Sequence, residues 1–287
     1  MSYLVVTPAR NEENFLPNLF ENILNQSLAP VVWVIADDNS TDKTGYIADT
    51  LESKYNWIKR VKIPKCRELE YAHERYAEVV RIGFAYAIAF CNREKLKYDF
   101  LAVVDADIEL EQDYFEKIIN VLNLNRQIGV ASGIVYEQGM TVEQLENQKN
   151  ESPRGAALVF ERKCYEMIGS FIGHSNSILK ARNRNWGVET LTSTKAIHKR
   201  RSMSRKSYFF SAGEYAHFLN CHPINVFFGG ISYMLQNSVS NGLYYLLGYF
   251  KNFLLRRKKI EDEEIKKYYR DSFNRLLKRT SKKIGIR

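Results

Sequence analysis

The period of the apolar positions changes along the chain. Unbroken apolar, β-branched runs occur at Tyr3–Thr7, Val31–Ala36 and Phe100–Val104, and a mixed run at Trp57–Ile63. Runs without polar alternation predict strands covered on both faces of a sheet. Between them the apolar spacing becomes three and four. Phe15, Leu16, Leu19, Phe20, Ile23 and Leu24 share one side of a helix over Glu13–Asn25. Asp42–Tyr55, opened by the cap signal Ser40-Thr41-Asp42, reads as a second helix, and Glu70–Cys91 and Asp113–Asn123 as two more. Strand alternating with helix predicts an α/β fold, a mostly parallel central sheet flanked by helices. Further on, Gly129–Tyr136 and Gly155–Phe160 are strand-like, the polar segment Glu137–Pro153 reads as a loop, and Gly187–His198 as extended chain.

The pattern changes again in the tail. Tyr215–Phe250 contains no Asp, Glu, Lys or Arg. Its two apolar stretches, Pro223–Leu235 and Gly242–Phe250, are parted by Gln236-Asn237-Ser238. Each is shorter than the roughly 20 apolar residues that cross a bilayer. Basic residues flank the region: Lys195, Lys199, Arg200, Arg201, Arg205 and Lys206 before it, Lys251 and Arg256–Lys259 after it. Positive charge on both sides predicts paired helices lying in one leaflet at the cytoplasmic membrane surface; a helical pair packed on the sheet is the alternative. Ile260–Arg287 reads as a charged amphipathic helix.

Charge sharpens this division. Residues 1–170 carry 19 basic against 26 acidic side chains, a net of −7; residues 171–287 carry 23 against 7, a net of +16. Basic charge confined to one end suggests docking to an anionic surface rather than to nucleic acid, and no nucleic-acid recognition module is present. Cys66, Cys91, Cys164 and Cys221 have no metal-type spacing and read as free thiols. No secretory signal is evident at the start of the chain. The expected location is cytoplasmic, peripheral or monotopic on the inner face of the cell membrane.

Three predicted strands end in polar clusters: Pro8–Glu13, Asp37–Asp42 and Asp105-Ala106-Asp107. Ligands of open α/β sheets bind beyond the carboxyl ends of strands, so all three should lie on one rim. In extended chain, residues i and i+2 face the same way, which would aim Asp105 and Asp107 at one point. Paired carboxylates suit Mg²⁺ or Mn²⁺ holding a diphosphate; a surface turn is the plain alternative. Neither G-x-G-x-x-G nor G-x-x-x-x-G-K-[ST] follows the first strand, against a dinucleotide-binding domain and a P-loop.

VVTPARNEENFLPNLFENILNQ, VIADDNSTDKT and VVDADIEL, in this order and spacing, resemble glycosyltransferase family 2, inverting nucleotide-sugar transferases of GT-A fold. GAALVFERKCYEMIGSF, from Gly155, is similar to the family's acceptor-side segment, and the tail resembles membrane-associated members. The resemblance implies a GT-A domain over 1–205, with a donor half (about 1–125) and an acceptor half (about 126–205), and a helical membrane-surface extension over 206–287. It implies transfer of a sugar from a nucleoside diphosphate (UDP- or GDP-type) to a glycan or polyprenyl-phosphate-type acceptor with Mg²⁺ or Mn²⁺. Pro8, Arg10, Glu12, Asp38 and Asp105 would then bind the donor. Asp107 would be the main metal ligand, with Asp105 and His198 beside it. Arg200 and Arg201 would hold a diphosphate or lipid phosphate, unless they are a solvated charge run. Thr41 and Asp42 are expected to cap a helix.

One part of the family pattern is altered. Ser175–Gly187 fits E-D-x-x-x-x-x-R-x-x-x-x-G, with Arg182 and Gly187 in place, but Ser175 and Asn176 replace the acids. An amide takes no proton from a sugar hydroxyl. Three readings stay open: an acceptor phosphate that needs no base, His174 as the base, or lost activity. A catalytically silent nucleotide-sugar binder and a nucleotidyltransferase on a related fold are the rivals.

Overall fold

The structure, a computed structural model, describes residues 1–65, 71–137, 140, 153, 155–200 and 205–272. They form two compact units, Met1–Arg201 and Ser202–Arg287. In the first, eight strands make one sheet: β1 (Tyr3–Ala9), β2 (Val32–Asp37), β3 (Ile58–Lys62), β4 (Phe100–Val104), β5 (Ile108–Leu110), β6 (Ile128–Glu137), β7 (Ala157–Glu161) and β8 (Gly187–His198). Their order is β3-β2-β1-β4-β7-β6-β8-β5. β3, β2, β1 and β4 run parallel. β7 opposes both β4 and β6, and β8 runs parallel to β6 while pairing with the antiparallel β5.

The helices of this unit are α1 (Leu16–Leu24), α2 (Thr44–Lys54), α3 (Ala72–Arg93), α4 (Tyr114–Leu124), α5 (Arg162–Ile168) and α6 (His174–Asn183). The unbroken apolar runs are buried because successive side chains enter two different layers. Tyr3, Val5, Trp33, Ile35, Phe100 and Ala102 join α1 and α4 in one core. Leu4, Val6, Val34, Leu101 and Val103 join α3, α5 and α6 in the other. Trp33 Nε1 donates to Thr7 Oγ1 at 3.0 Å, so a buried polar pair inside these strands is mutually satisfied.

The mostly parallel sheet flanked by helices is the architecture the apolar pattern predicts, and each expected strand and helix of the first half is present, with ends moved by a few residues. One expectation is corrected. Asp105-Ala106-Asp107 is a turn closed by Ile108 N donating to Asp105 O at 3.3 Å, not extended chain, because β5 begins immediately after it. Within the stretch expected as a helix over Ile260–Arg287, the described residues contain α10 (Glu263–Arg270), capped by the Asp262 carboxylate on Ile265 N; residues 273–287 lie outside the described residues, as do most of Glu137–Pro153, Cys66 and Arg201. Cys91, Cys164 and Cys221 are free thiols.

The second unit contains α7 (Arg205–Phe218), α8 (Pro223–Gln236), α9 (Val239–Leu254) and α10. α8 and α9 form a hairpin whose turn is Asn237-Ser238. Glycines set its packing. A Cβ on Gly248 would lie 2.1 Å from the Phe210 carbonyl oxygen, and one on Gly213 1.9 Å from that of Tyr245, so α7 and α9 touch backbone to backbone. The outward faces are apolar. Ile224, Phe227, Phe228 and Leu235 on α8 and Val239, Leu243, Leu247, Phe250 and Leu254 on α9 recur at helical spacing and are exposed, Leu235 to 82%. Among the described residues, no helix is long and apolar enough to cross a membrane.

Candidate active site

The loops after β1 and β2 are laced together beyond the sheet. Asn11 and Asn39 adopt left-handed backbone, with φ of 58° and 54°, a conformation asparagine tolerates better than most residues. Asn11 Oδ1 accepts from Thr41 N at 2.8 Å, and Glu12 N donates to Thr44 Oγ1 at 2.6 Å. Asp42 accepts from Thr44 N at 2.9 Å and from Glu13 N at 3.1 Å. Asp42 thus joins the two loops and holds the first N–H of α2, but the capping position is Lys43, not Thr41 or Asp42 as expected, because the helix begins at Thr44.

Four residues from three strand ends converge beside this lacing. Arg200 Nε donates to Asp107 Oδ2 at 2.8 Å, and its Nη2 pairs with Glu12. His198 Nε2 lies 3.6 Å from Asp107 Oδ1. The Arg200 guanidinium also sits over the Phe15 ring, 5.2 Å from its centroid. Burial raises the Glu12 carboxyl pKa against the opposing charge of Arg200. Asp107 is almost fully buried, so its pairing with a charged partner matters more than a surface ion pair would.

Asp105 belongs to a second group. Its Oδ1 accepts from the Tyr76 hydroxyl at 2.6 Å, and that hydroxyl is 2.9 Å from His174 Nε2. Burial, then the nearby Asp107 and Glu12 charges, push the Asp105 carboxyl up to about 7 although the Tyr76 bond opposes them. Burial pushes the His174 imidazole down to about 3, so it is neutral. Gly155 makes room for that ring: a Cβ there would stand 2.2 Å from His174 Nδ1.

Asp37 and Asp38 have different partners. Burial works against the Asp37 charge, but hydrogen bonds from Ser40 and the Arg60 guanidinium lower its pKa. Arg60 lies 2.6 Å from Asp37 and from Asp49, which ties β2, β3 and α2. Asp38 pairs with Arg75 at 2.5 Å, and Arg10 approaches its other oxygen at 3.7 Å. Pro8 is in β1, opposite Ala36.

Asn176 lies in the first turn of α6 with 1% of its surface exposed, and its amide donates to Ile172 O at 3.3 Å. The expected site residues therefore fall into three neighbouring groups: Glu12, Asp107, His198 and Arg200; Asp105 and His174 with Gly155; Asp38 with Arg10. Tyr76 and Arg75, which bind two of the predicted acids, were not anticipated. Their only signal is their place near the start of the long helix α3. Carboxylate oxygens and an imidazole nitrogen make a donor set that suits a hard divalent cation. Yet no three such side chains among the described residues are already arranged to hold one.

The sequence profile of Glycosyl transferase family 2 matches residues 4–204. A stretch of 114 residues is 32% identical to the 4,4'-diaponeurosporenoate glycosyltransferase of Staphylococcus haemolyticus, covering 39% of this chain and 26% of that protein. The chain thus spans about a quarter of the length of that relative. Among solved structures, the mannosyltransferase PcManGT of Pyrobaculum calidifontis, in complex with GDP-Man and Mn2+, superposes with a TM-score of 0.57 at 14% identity, over 88% of this chain and 75% of that one. S. aureus TarS gives 0.53 at 15% identity, over 85% of this chain and 45% of that one. At such identities the structural likeness speaks for the fold alone. The profile match spans most of the sheet and all three groups of site residues, and by it the chain belongs to glycosyl transferase family 2.

Proposed function

We propose that the protein transfers a sugar, with inversion, from a nucleoside diphosphate to an ionised phosphate on a polyprenyl-type lipid at the inner face of the cell membrane. The observation that carries the reading is the convergence of Glu12, Asp107, His198 and Arg200 where parallel strands end. Arg10 and Arg200 suit a diphosphate, because guanidinium forks match phosphate oxygens. Asp38 and Asp105 suit an N–H of the base or the hydroxyls of ribose or sugar. Asp107, Asp105 and His198 would hold Mg²⁺ or Mn²⁺, which supplies Lewis-acid neutralisation of the departing diphosphate. The likeness to a mannosyltransferase solved with GDP-Man and Mn2+ supports that assignment.

The acceptor class follows from what the site lacks. Asn176 stands where the family places its acid, and His174, buried, neutral and facing Tyr76, has too little basicity to serve well at neutral pH. A phosphate oxygen is already an anion. It attacks the anomeric carbon while the bond from that carbon to the nucleoside diphosphate breaks, and no proton has to move. The exposed apolar stripe of α8 and α9, uncharged between Tyr215 and Phe250 and followed by Lys251 and Arg256–Lys259, supports a location where such lipids lie.

The test is a thermal-shift panel of UDP- and GDP-sugars with and without Mn²⁺, since a ligand of the folded state raises its stability. It is followed by assays with polyprenyl phosphate and with glycan hydroxyl acceptors. A metal-dependent shift and transfer to phosphate are expected. Efficient transfer to hydroxyls and none to phosphate would overturn the acceptor assignment, and no metal-dependent shift with any donor would overturn the whole reading.

A further inference from the structure

Arg200 occupies an unusual position for a side chain expected to bind phosphate. Its guanidinium pairs with the protein's own acids. Its Nε takes Asp107 Oδ2 at 2.8 Å, its Nη2 takes Glu12, and the Phe15 ring supports the guanidinium plane. Glu12 follows β1, Asp107 precedes β5 and Arg200 follows β8, so one cation joins three strand ends. Glu12 and Asp107 are only 12% and 9% exposed at their side chains, while Arg200 is 47% exposed. The acids are fixed in the wall and the guanidinium can leave.

We infer that Arg200 is an internal counter-ion that competes with the divalent cation for Asp107 and is released by the donor's diphosphate. The argument is one of shared oxygens. A cation bound through Asp107 must draw on a carboxylate that already accepts from Arg200 on one oxygen and faces His198 on the other. Without a nucleotide, a displaced guanidinium loses two charge-assisted bonds and gains only water. With a diphosphate present it gains phosphate oxygens instead. Metal and nucleotide should therefore bind with positive coupling, and by linkage each should tighten the other equally. This rests on the donor and metal reading proposed above.

The experiment is Mn²⁺ titration followed by electron paramagnetic resonance of the free ion, with and without UDP or GDP. The proteins are native, R200Q, R200K and K199Q, each checked for an unchanged thermal transition. Lys199 pairs with Glu109 and makes no side-chain contact with Asp107 in the pairs described, so K199Q controls for loss of charge. Without nucleotide, R200Q should bind Mn²⁺ roughly tenfold more tightly than native, within the usual range of coupling. R200K, a point charge that cannot bridge both acids, should fall between, and K199Q should match native. Nucleotide should tighten Mn²⁺ binding in native protein and do so much less in R200Q. Equal or weaker Mn²⁺ binding by R200Q than by native protein, or a gain in Mn²⁺ affinity in K199Q as large as that in R200Q, would overturn the inference while leaving the donor reading intact. If no variant binds Mn²⁺ even with nucleotide, both fail.

Discussion

The Tyr76 hydroxyl lies 2.6 Å from Asp105 Oδ1, so the carboxylate that ends β4 is aimed by a side chain from the first turns of α3. The same hydroxyl meets His174 Nε2 at 2.9 Å, which links the end of β4 to the start of α6. A phenol donates one proton. When it is given to the Asp105 carboxylate, the imidazole must donate through Nε2–H.

Tyr76→Phe keeps the ring against Phe171 and removes only these polar contacts. Supporting partners of site ligands typically contribute about 10–100-fold to affinity or activity. Transfer is expected to fall by about that much, with little change in fold. Native activity in Y76F would mean that Asp105 needs no such aim.

The proton inventory of this group gives a pH prediction. Asp105 is raised to about 7 and His174 lowered to about 3, against ordinary values of about 3.9 and 6.5. Between about pH 4 and 6.5, the folded pair carries one proton, on Asp105. The unfolded pair also carries one, on the histidine. The two slopes cancel in the native protein. In H174Q only Asp105 remains, the folded state binds more protons, and stability should fall as pH rises through this window. In D105N only His174 remains, the unfolded state binds more, and stability should rise with pH. Each change should be about 1–3 kcal/mol across the window. Urea midpoints from pH 4 to 7 measure it, and slopes of the same sign in both variants would refute the assignment.

Gly155→Ala places a methyl group 2.2 Å from His174 Nδ1. Displacing the ring should cost about 1–3 kcal/mol, as overpacking usually does. Adding His174→Ala should recover part of that cost. A double-mutant cycle by urea unfolding reads the coupling, and additive costs would place the effect elsewhere.

Leu243→Glu with Leu247→Glu puts two charges on the exposed stripe of α9. Each leucine withdrawn from lipid forfeits about 1.5–3 kcal/mol, so the double variant should lose nearly all binding to anionic phospholipid vesicles. Its far-ultraviolet circular dichroism should be unchanged. Vesicle co-sedimentation equal to native protein would remove the proposed membrane face.

The apolar runs made the sheet legible, because short β-branched runs such as Tyr-Leu-Val-Val and Phe-Leu-Ala-Val-Val, bounded by turn signals, suit strands covered on both faces. Strand ends made the rim legible for the same reason. The turn at Asp105-Ala106-Asp107 was legible only as an alternative to extended chain, since the short β5 that forces it owes its place to pairing with β8, far along the chain. Arg200 bridges Glu12 across 188 positions. Nothing local in a Lys-Arg-Arg run distinguishes that bond from a solvated charge. Tyr76 and Arg75 were hidden likewise: helical spacing reports which side of α3 is apolar, not which loop its first turn meets.

Gly213 and Gly248 bring α7 and α9 into backbone contact. A pair joined in this way depends on van der Waals fit more than on the exclusion of water. Among hydrocarbon tails the hydrophobic effect no longer favours helix association, but close fit between small residues persists. Were the second unit to meet lipid as proposed, this packing would let the helix pair keep the geometry it has in water.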